Sequence, residues 1–212
     1  MHGFGSPCVS DRIRAAATVI LWRKAASGAE LLMGQRGASA VFMPSKYVFP
    51  GGAVDPEDAA GDATGYLDET SLSRLALHPE ASFPGAGALV TAARRELQEE
   101  TGLTLSRGTG PRPAMRFIFR AITPPGLPRR FDARFFLVDA AAITGDATNF
   151  TEASGELSHL HWIGLAAARD LDLPFITEIV LAETQALLEG GDQPGVPFFD
   201  NSTDIPTFHR IL

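Results

Sequence analysis

The chain of 212 residues has a single cysteine, Cys8, and no long apolar run near its start. One thiol excludes an internal disulfide and a cysteine-based metal cluster, and it is typical of a protein from a reducing compartment. The longest apolar run near the N-terminus covers residues 15–22. This run is too short to span a membrane, and no small-residue cleavage site follows it. We therefore expect a cytoplasmic protein with no membrane partner.

Positive charge is also scarce. Eighteen Lys and Arg residues stand against 25 Asp and Glu residues, which gives a formal net charge of −7. A general nucleic-acid binder needs a basic surface that displaces counterions, so we expect no nucleic-acid partner. A small phosphorylated substrate is still compatible with an acidic protein if a metal ion mediates the contact. The sequence leaves open whether the protein forms a homodimer.

Apolar runs and turn residues predict one α/β domain over residues 1–212. Strands are predicted at AATVILWRK and AELLMGQR, which flank the turn AASG, and then at YVFPGG, AMRFIFRAI, RFDARFFLVD and HWIGL. Helices are predicted over residues 88–101, ended by Gly102, and over about residues 174–188. About residues 190–212 are predicted to form an irregular tail. Strands interleaved with two helices predict a mixed α/β sandwich.

Three carboxylates crowd together in the segment RRELQEETGL. On a helix, Glu96, Glu99 and Glu100 lie on one face, where like charges repel one another. The segment alone allows two interpretations. One is a solvated acidic stripe that Arg94 and Arg95 partly neutralise, which is the commoner arrangement. The other is a site for a hard divalent cation such as Mg²⁺, which prefers carboxylate oxygens.

Together with FPGGAVDPED upstream, this segment resembles the box of the Nudix hydrolase family. That box is a Gly, five residues, a Glu, seven residues, and then Arg-Glu-aliphatic-x-Glu-Glu-x-Gly-aliphatic. The second half is matched at every fixed position by Arg95, Glu96, Leu97, Glu99, Glu100, Gly102 and Leu103. The first half starts at Gly52 and has Asp58 in place of Glu. An insertion of about 29 residues, at about residues 58–87, splits the two halves.

A split box of this kind resembles the branch of mammalian Nudix motif 19 proteins, which are similar to coenzyme A diphosphatases. The fragments FMPSKYVFPGG and ITPPGLPRRFDARFF support this resemblance. It implies a Nudix α/β/α sandwich with a mixed sheet. It also implies a Mg²⁺-dependent hydrolase, with Mn²⁺ as the alternative ion, that cleaves a nucleoside diphosphate linked to another moiety. Coenzyme A and acyl-coenzyme A are the favoured substrates. The alternatives are ADP-ribose, dinucleotides, nucleotide sugars, and a non-catalytic domain that senses a nucleotide.

The resemblance also assigns roles to individual residues. The metal ligands it implies are Glu96, Glu99 and Glu100, helped by the carbonyl of Gly52. Arg95 is expected to orient Glu99 through a charge-assisted hydrogen bond. One carboxylate must accept a proton from the attacking water. Glu96 is the first candidate for this base, and Glu156 or Glu152 in the loop TEASGEL is the second, with a solvated loop as the equally weighted alternative.

Three arginines are expected to contact substrate phosphates: Arg36, Arg129 and Arg130. For Arg129 and Arg130 a purely structural position beside a strand is an equal alternative, and for Arg134 it is preferred. The insertion is expected to cover the substrate opening, because long loops of this kind are usually functional or disordered.

Overall fold

The computed structural model describes residues 12–77, 83–108 and 113–212. The predicted first hairpin is confirmed. Strand β1 (Ile13–Ala25) and strand β2 (Gly28–Arg36) pair antiparallel, and only two residues separate them. The short connection fits a tight hairpin turn between two apolar runs.

The described residues contain nine further strands and four helices. The strands are β3 (Tyr47–Val48), β4 (Gly51–Ala53), β5 (Thr104–Leu105), β6 (Met115–Ile122), β7 (Arg130–Asp139), β8 (Ile143–Thr144), β9 (Leu157–Gly164), β10 (Val196–Asp200) and β11 (Thr207–Ile211). The helices are α1 (Glu69–Ala76), α2 (Ala86–Thr101), α3 (Leu165–Ala168) and α4 (Phe175–Leu188), with short 3₁₀ helices at Pro56–Ala60 and Ala140–Ala142.

One mixed sheet organises the molecule, in the order β11-β10-β6-β7-β1-β2-β3. Strand β4 also pairs with β1, and β9 also pairs with β2. The β1–β7 and β10–β6 pairs are parallel, whereas the other pairs of this sheet are antiparallel. Strands β5 and β8 form a separate small ladder. The predicted mixed sheet is therefore confirmed.

Alternation along the strands gives the sheet two buried faces. On β1, Val19 points into the apolar cluster that contains Leu89 and Leu97 of α2. Its neighbour Ile20 points into a second cluster that contains Val180 and Leu181 of α4. Helices therefore cover both faces, and the predicted α/β fold is confirmed.

The two predicted helices form close to their expected bounds. Helix α2 begins two residues before the predicted start and ends at Thr101, where Gly102 adopts φ 77°. A left-handed residue at this position ends a helix at little cost only when it is glycine. Helix α4 follows Pro174, whose extended backbone precedes the first helical turn. No helix in the described part of the chain is long and apolar enough to cross a membrane.

The prediction of an irregular tail over residues 190–212 is wrong. Strands β10 and β11 pair with each other, and β10 joins the sheet beside β6. Val196 and Phe198 are buried in the cluster under α2. The run is short and contains Pro197, and a proline inside a run argues against a strand when only the sequence is considered. Pairing with β6, far away in the sequence, overrides this local signal.

The segment between the two halves of the box begins and ends at the same place in the fold. The backbones of Gly61 and Gly87 are so close that a Cβ on Gly61 would lie 2.4 Å from the Gly87 oxygen. Between them, Tyr66, Leu67 and Leu75 are buried in the cluster on the α2 face. The close approach of the two glycines therefore brings the residues on either side of this segment together. That the segment is an insertion relative to the family box stays a prediction.

Candidate active site

A cavity of about 630 Å³ lies on the α4 face of the sheet. Its floor comes from β1, β6 and β7, and its walls come from the start of α4, from β10 and from the loops that follow β2 and β6. Most of its lining is apolar, with the side chains of Phe42, Met43, Val48, Phe49, Leu127, Phe131, Phe135, Phe175, Ile176 and Phe199. The charged residues of the lining are Arg14, Arg36, Glu96, Glu100, Arg129 and Glu156. The cavity thus offers both a charged and an extended apolar surface.

Two glycines let the carboxylates of α2 reach this cavity. A Cβ on Gly52 would lie 2.4 Å from the Glu96 carboxyl carbon, so only a glycine leaves room for that carboxylate. The Gly51 N–H donates to Glu100 Oε2 at 2.8 Å. Gly51 has φ 154°, and a Cβ there would lie 2.5 Å from the Ala17 oxygen of β1. The FPGG sequence therefore permits a close approach between backbone and carboxylates at this point.

Arg95 connects the two halves of the box. Its guanidinium donates to Asp58 Oδ2 at 2.9 Å, to the Ala53 carbonyl at 3.0 Å and to Glu96 Oε1 at 2.8 Å. A longer hydrogen bond, 3.3 Å, reaches Glu99 Oε2, as expected for an arginine that orients this glutamate. Asp58 is buried, and it also accepts from the Asp55 N–H at 2.9 Å. The shorter aspartate, in the position where the family has glutamate, therefore still holds the arginine of the second half.

Electrostatics at the carboxylates favour a cation. Burial, together with the charges of Glu96 and Glu156, raises the pKa of Glu100 to about 8, although the Gly51 hydrogen bond and the charge of Arg36 oppose this rise. Burial also raises the pKa of Glu96, as do the charges of Glu99 and Glu156, while Arg95 lowers it. Carboxyl groups that repel one another in a desolvated site are stabilised as anions by an added positive charge.

The buried carboxyl of Glu100 should make the stability of the metal-free protein depend on pH. An unfolded glutamate titrates near 4.5, whereas the folded carboxyl has a pKa of about 8. Between these values the folded state keeps a proton that the unfolded state loses, so the free energy of unfolding falls as pH rises. Glu100→Gln removes this titration. At pH 8 its free energy of unfolding should therefore exceed that of the wild type by up to about 4 kcal/mol.

Urea unfolding at about pH 5 and about pH 8, with a chelator present, measures this difference. The stability advantage of the glutamine variant should be much larger at the higher pH. An advantage that is equal at both pH values would show that Glu100 is already ionised in the folded protein at pH 5.

The structure brings together some of the predicted site residues and separates others. Glu96, Glu100, Glu156 and Gly52 all line the cavity. Glu99 does not line it: its side chain is 56% exposed and is bound to Arg95 at the rim.

Glu152 is exposed, and its Cβ would lie 3.1 Å from a Cβ added at Gly102, beside the C-terminal end of α2. Of the two loop acids, the fold therefore brings Glu156 to the cavity and keeps Glu152 away. Nothing in the sequence distinguished between them.

The fold also separates the three arginines that were expected to contact substrate phosphates. Arg36 and Arg129 line the cavity, whereas Arg130 is outside its lining. The Arg130 guanidinium is buried and donates to the carbonyls of Thr123, Asn201 and Ser202. It therefore contacts main chain where a substrate contact was expected.

Arg134 has a structural position, as was preferred for it from the sequence. It is buried, and its Nη1 lies 2.9 Å from Asp132 Oδ2. This ion pair lies on the sheet face opposite the cavity.

Two cavity residues, Phe199 and Asn201, were missed because the tail was predicted to be irregular. The only sequence signal is the short apolar run VPFF, which predicts a buried strand if its proline is tolerated.

The segment between the box halves does not cover the cavity in the residues that the structure describes. Its side chains Tyr66, Leu67 and Leu75 belong to the α2 face, and none of its described residues lines the cavity. The expectation that it closes the substrate opening is therefore wrong for this part, and residues 78–82 lie outside the described ranges.

The donor set fits a hard divalent cation by its chemistry and its charge. Carboxylates of Glu96, Glu100 and Glu156 and the backbone of Gly52 offer oxygen ligands, which Mg²⁺ and Mn²⁺ prefer. Within residues 12–77, 83–108 and 113–212, no group of three or more His, Cys, Asp or Glu side chains is placed so that it could hold a metal ion by itself. The assignment of a metal therefore depends on oxygen donors, on mutual repulsion and on a shared cavity.

A known protein resembles this chain in sequence. No family model matches the chain. A Caenorhabditis elegans protein described as nudix hydrolase 7 is 31% identical over 166 residues, which cover 73% of this chain and 52% of that protein. The chain thus spans about half the length of this curated relative.

Solved structures show the same fold. A NUDIX hydrolase from Alicyclobacillus acidocaldarius is 25% identical, with a TM-score of 0.58 over 84% of this chain and 92% of that one. The NUDIX domain of Shewanella oneidensis NrtR, complexed with ADP ribose, is 14% identical, with a TM-score of 0.54 over 87% and 94%. A C. elegans Ap4A hydrolase is 18% identical, with a TM-score of 0.52 over 84% and 99%.

The fold is therefore the mixed α/β sandwich of Nudix hydrolase structures. Together with the curated relative, these likenesses support the assignment of the chain to the Nudix hydrolase family.

Proposed function

We propose that the protein is a Mg²⁺-dependent diphosphatase, with Mn²⁺ as the alternative ion, whose substrate is a nucleoside diphosphate linked to another moiety. Coenzyme A and its acyl derivatives are the proposed substrates. The observation that carries this proposal is the group of three carboxylates, Glu96, Glu100 and Glu156, beside Gly52 in one large cavity. Two of the three have a raised pKa, as expected where a positive charge is needed to stabilise the anions.

Glu96 and Glu100 would hold the ion with the Gly52 carbonyl, and Glu99 would complete the ligand set from the rim. A bound Mg²⁺ supplies charge neutralisation at the diphosphate and a water of lowered pKa. Arg95 fixes Glu96 and Glu99 through its hydrogen bonds to both. It is itself held by Asp58, so this pair keeps the ligands in place before any ion binds.

Glu156 is the group that we assign as general base. It lines the cavity and interacts electrostatically with both Glu96 and Glu100. Glu96, the first candidate from the sequence, is bound by Arg95 through Oε1 and is a proposed ligand of the ion, so its oxygens are already engaged. A base must lie within hydrogen-bond reach of the water it activates, and Glu156 faces the same space as the proposed ligands.

The rest of the cavity suits the two ends of a coenzyme A derivative. Arg36 and Arg129 provide positive charge for phosphate oxygens. The aromatic and aliphatic wall can bury the pantetheine arm or an acyl chain, since ligand sites are mostly apolar with a few placed polar groups. A purely polar cavity would favour a nucleotide sugar instead.

Purified protein should cleave coenzyme A derivatives to 3′,5′-ADP and a phosphopantetheine product when Mg²⁺ is present. The measurement is a substrate panel that also contains ADP-ribose, a dinucleotide and a nucleotide sugar, with products identified by mass spectrometry. A far higher kcat/KM on ADP-ribose or a nucleotide sugar would show that the coenzyme A assignment is wrong, although the reaction type would survive. Binding without turnover of any panel member would instead support a nucleotide sensor.

A further inference from the structure

Arg130 ties two distant segments together. It is only 4% exposed. Its Nε donates to the Thr123 carbonyl at 3.1 Å, and its Nη2 donates to the carbonyls of Asn201 at 2.8 Å and Ser202 at 3.1 Å. The fork of a guanidinium can serve several acceptors at fixed angles, which the single ammonium of a lysine cannot reproduce. Arg130 therefore connects the end of β6 to the residues that follow β10.

Asn201 and Ser202 lie beyond the strand pairing of β10. That strand pairs with β11 from Val196 to Asp200, and with β6 at Phe198–Arg120 and Phe199–Ala121. Beyond this point Asn201 is held by its side chain, whose Nδ2 donates to the Ile122 carbonyl at 3.1 Å, and by Arg130 through its main chain. These hydrogen bonds fix the backbone where the parallel ladder has ended.

Phe199 and Asn201 form one wall of the cavity. We call this pair the tail wall. Strand β10 is separated from β1 by β6 and β7, and neighbouring strands lie about 4.8 Å apart, so the tail wall lies about 14 Å from β1 across the sheet. The carboxylate group adjoins β4, which pairs with β1. The tail wall therefore faces a part of the substrate well away from the diphosphate.

Phe199 gives the tail wall an apolar, aromatic surface, whereas the Asn201 amide donates to the Ile122 carbonyl. Phe199 packs against Phe175 of α4 with ring centroids 6.3 Å apart, and Phe175 also lines the cavity. On its other side Phe199 contacts Phe208 of β11, with centroids again 6.3 Å apart. Rings packed in this way present a fixed apolar surface that suits an acyl chain.

We infer that Arg130 is a positioning residue that holds the tail wall, and that the tail wall selects the acyl group at the non-nucleotide end of the substrate. This inference rests on the proposed function and specifies which residues set its substrate preference. Arg130 donates to the main-chain carbonyls of Asn201 and Ser202, so it acts on substrate affinity by way of Phe199 and Asn201.

The test compares free coenzyme A with a medium-chain acyl-coenzyme A, and measures kcat and KM for both. Phe199→Ala should raise KM for the acyl substrate about tenfold and for free coenzyme A by clearly less, because the ring contact with the acyl chain is lost. Arg130→Lys should move the ratio of the two KM values in the same direction. In both variants kcat should change less than KM.

Two variants serve as matched controls. Ile205→Ala removes an apolar side chain of the same tail that is 75% exposed and outside the cavity lining. Arg210→Lys alters an arginine that also donates to a tail carbonyl, that of Gly195, again away from the cavity. Neither control should move the ratio of the two KM values.

A general loss of stability would lower the active fraction equally for both substrates, so the ratio of KM values separates positioning from folding. Wild-type turnover of both substrates, with equal KM changes in the Phe199 and Arg130 variants, would overturn this inference alone. Absence of wild-type turnover on either substrate would overturn the proposed function, and this inference with it.

Discussion

Replacing Glu100 with Gln should lower turnover by at least about two orders of magnitude and leave the fold intact. Glutamine preserves the size and the helix propensity of glutamate but removes a hard anionic ligand. The expected loss is large because the metal of the proposed site would supply both the attacking water and charge neutralisation at the diphosphate. Glu96→Gln should act in the same direction, since Glu96 lines the same cavity.

The metal-free glutamine variant should be at least as stable as the wild type. When its carboxyl is ionised, Glu100 repels Glu96 and Glu156 in the folded protein, and the substitution removes this repulsion. Thermal melts with and without Mg²⁺ should show stabilisation by the ion in the wild type and little or none in the variant, because a ligand stabilises the state that binds it.

Glu152→Gln is the matched control for these variants. It makes the same chemical change in an acid that lies near the box but is exposed and outside the cavity lining. Its activity and its response to Mg²⁺ should equal those of the wild type. A Glu100→Gln protein that keeps full activity and full stabilisation by Mg²⁺ would show that Glu100 is not a ligand of a catalytic metal ion.

Local patterns in the sequence were sufficient to predict the strands and the helix near the site. The apolar runs of β1 and β2 specify strands through burial, and Gly102 marks the end of α2 through its left-handed backbone. The spacing of Glu96, Glu99 and Glu100 specifies one helix face whatever the tertiary structure is. These features depend on neighbours within a few residues, so the sequence contains all that is needed to predict them.

Other features depend on pairings between distant residues. Glu99 and Glu100 are neighbours in the sequence, yet one is at the rim and the other is buried, because β4 packs against only one side of α2. Arg130 looked like a phosphate ligand because nothing local reveals the carbonyls of Asn201 and Ser202. Such contacts are set by which strand lies beside β6, and a single sequence gives no direct signal for that.

A second large effect, on the free energy of unfolding, is expected from a substitution at Asp132, whose buried carboxylate lies behind the cavity floor. Arg120 donates to both of its oxygens at 2.8 Å, and Arg134 Nη1 lies 2.9 Å from Oδ2. All three side chains are almost completely buried. Their strand neighbours Phe131 and Ala133 point to the opposite face and line the cavity. This ion-pair network therefore lies directly across the sheet from the proposed substrate site.

Asp132→Asn should lower the free energy of unfolding by about 3–5 kcal/mol, because removing one partner of a buried ion pair leaves charge that is poorly compensated. Urea unfolding curves measure this loss through a lower midpoint at unchanged slope. The matched control is Asp62→Asn, which alters an exposed pair with Arg107 and should leave the midpoint unchanged. An Asp132→Asn midpoint equal to that of the wild type would show that other groups stabilise Arg120 and Arg134 without this carboxylate.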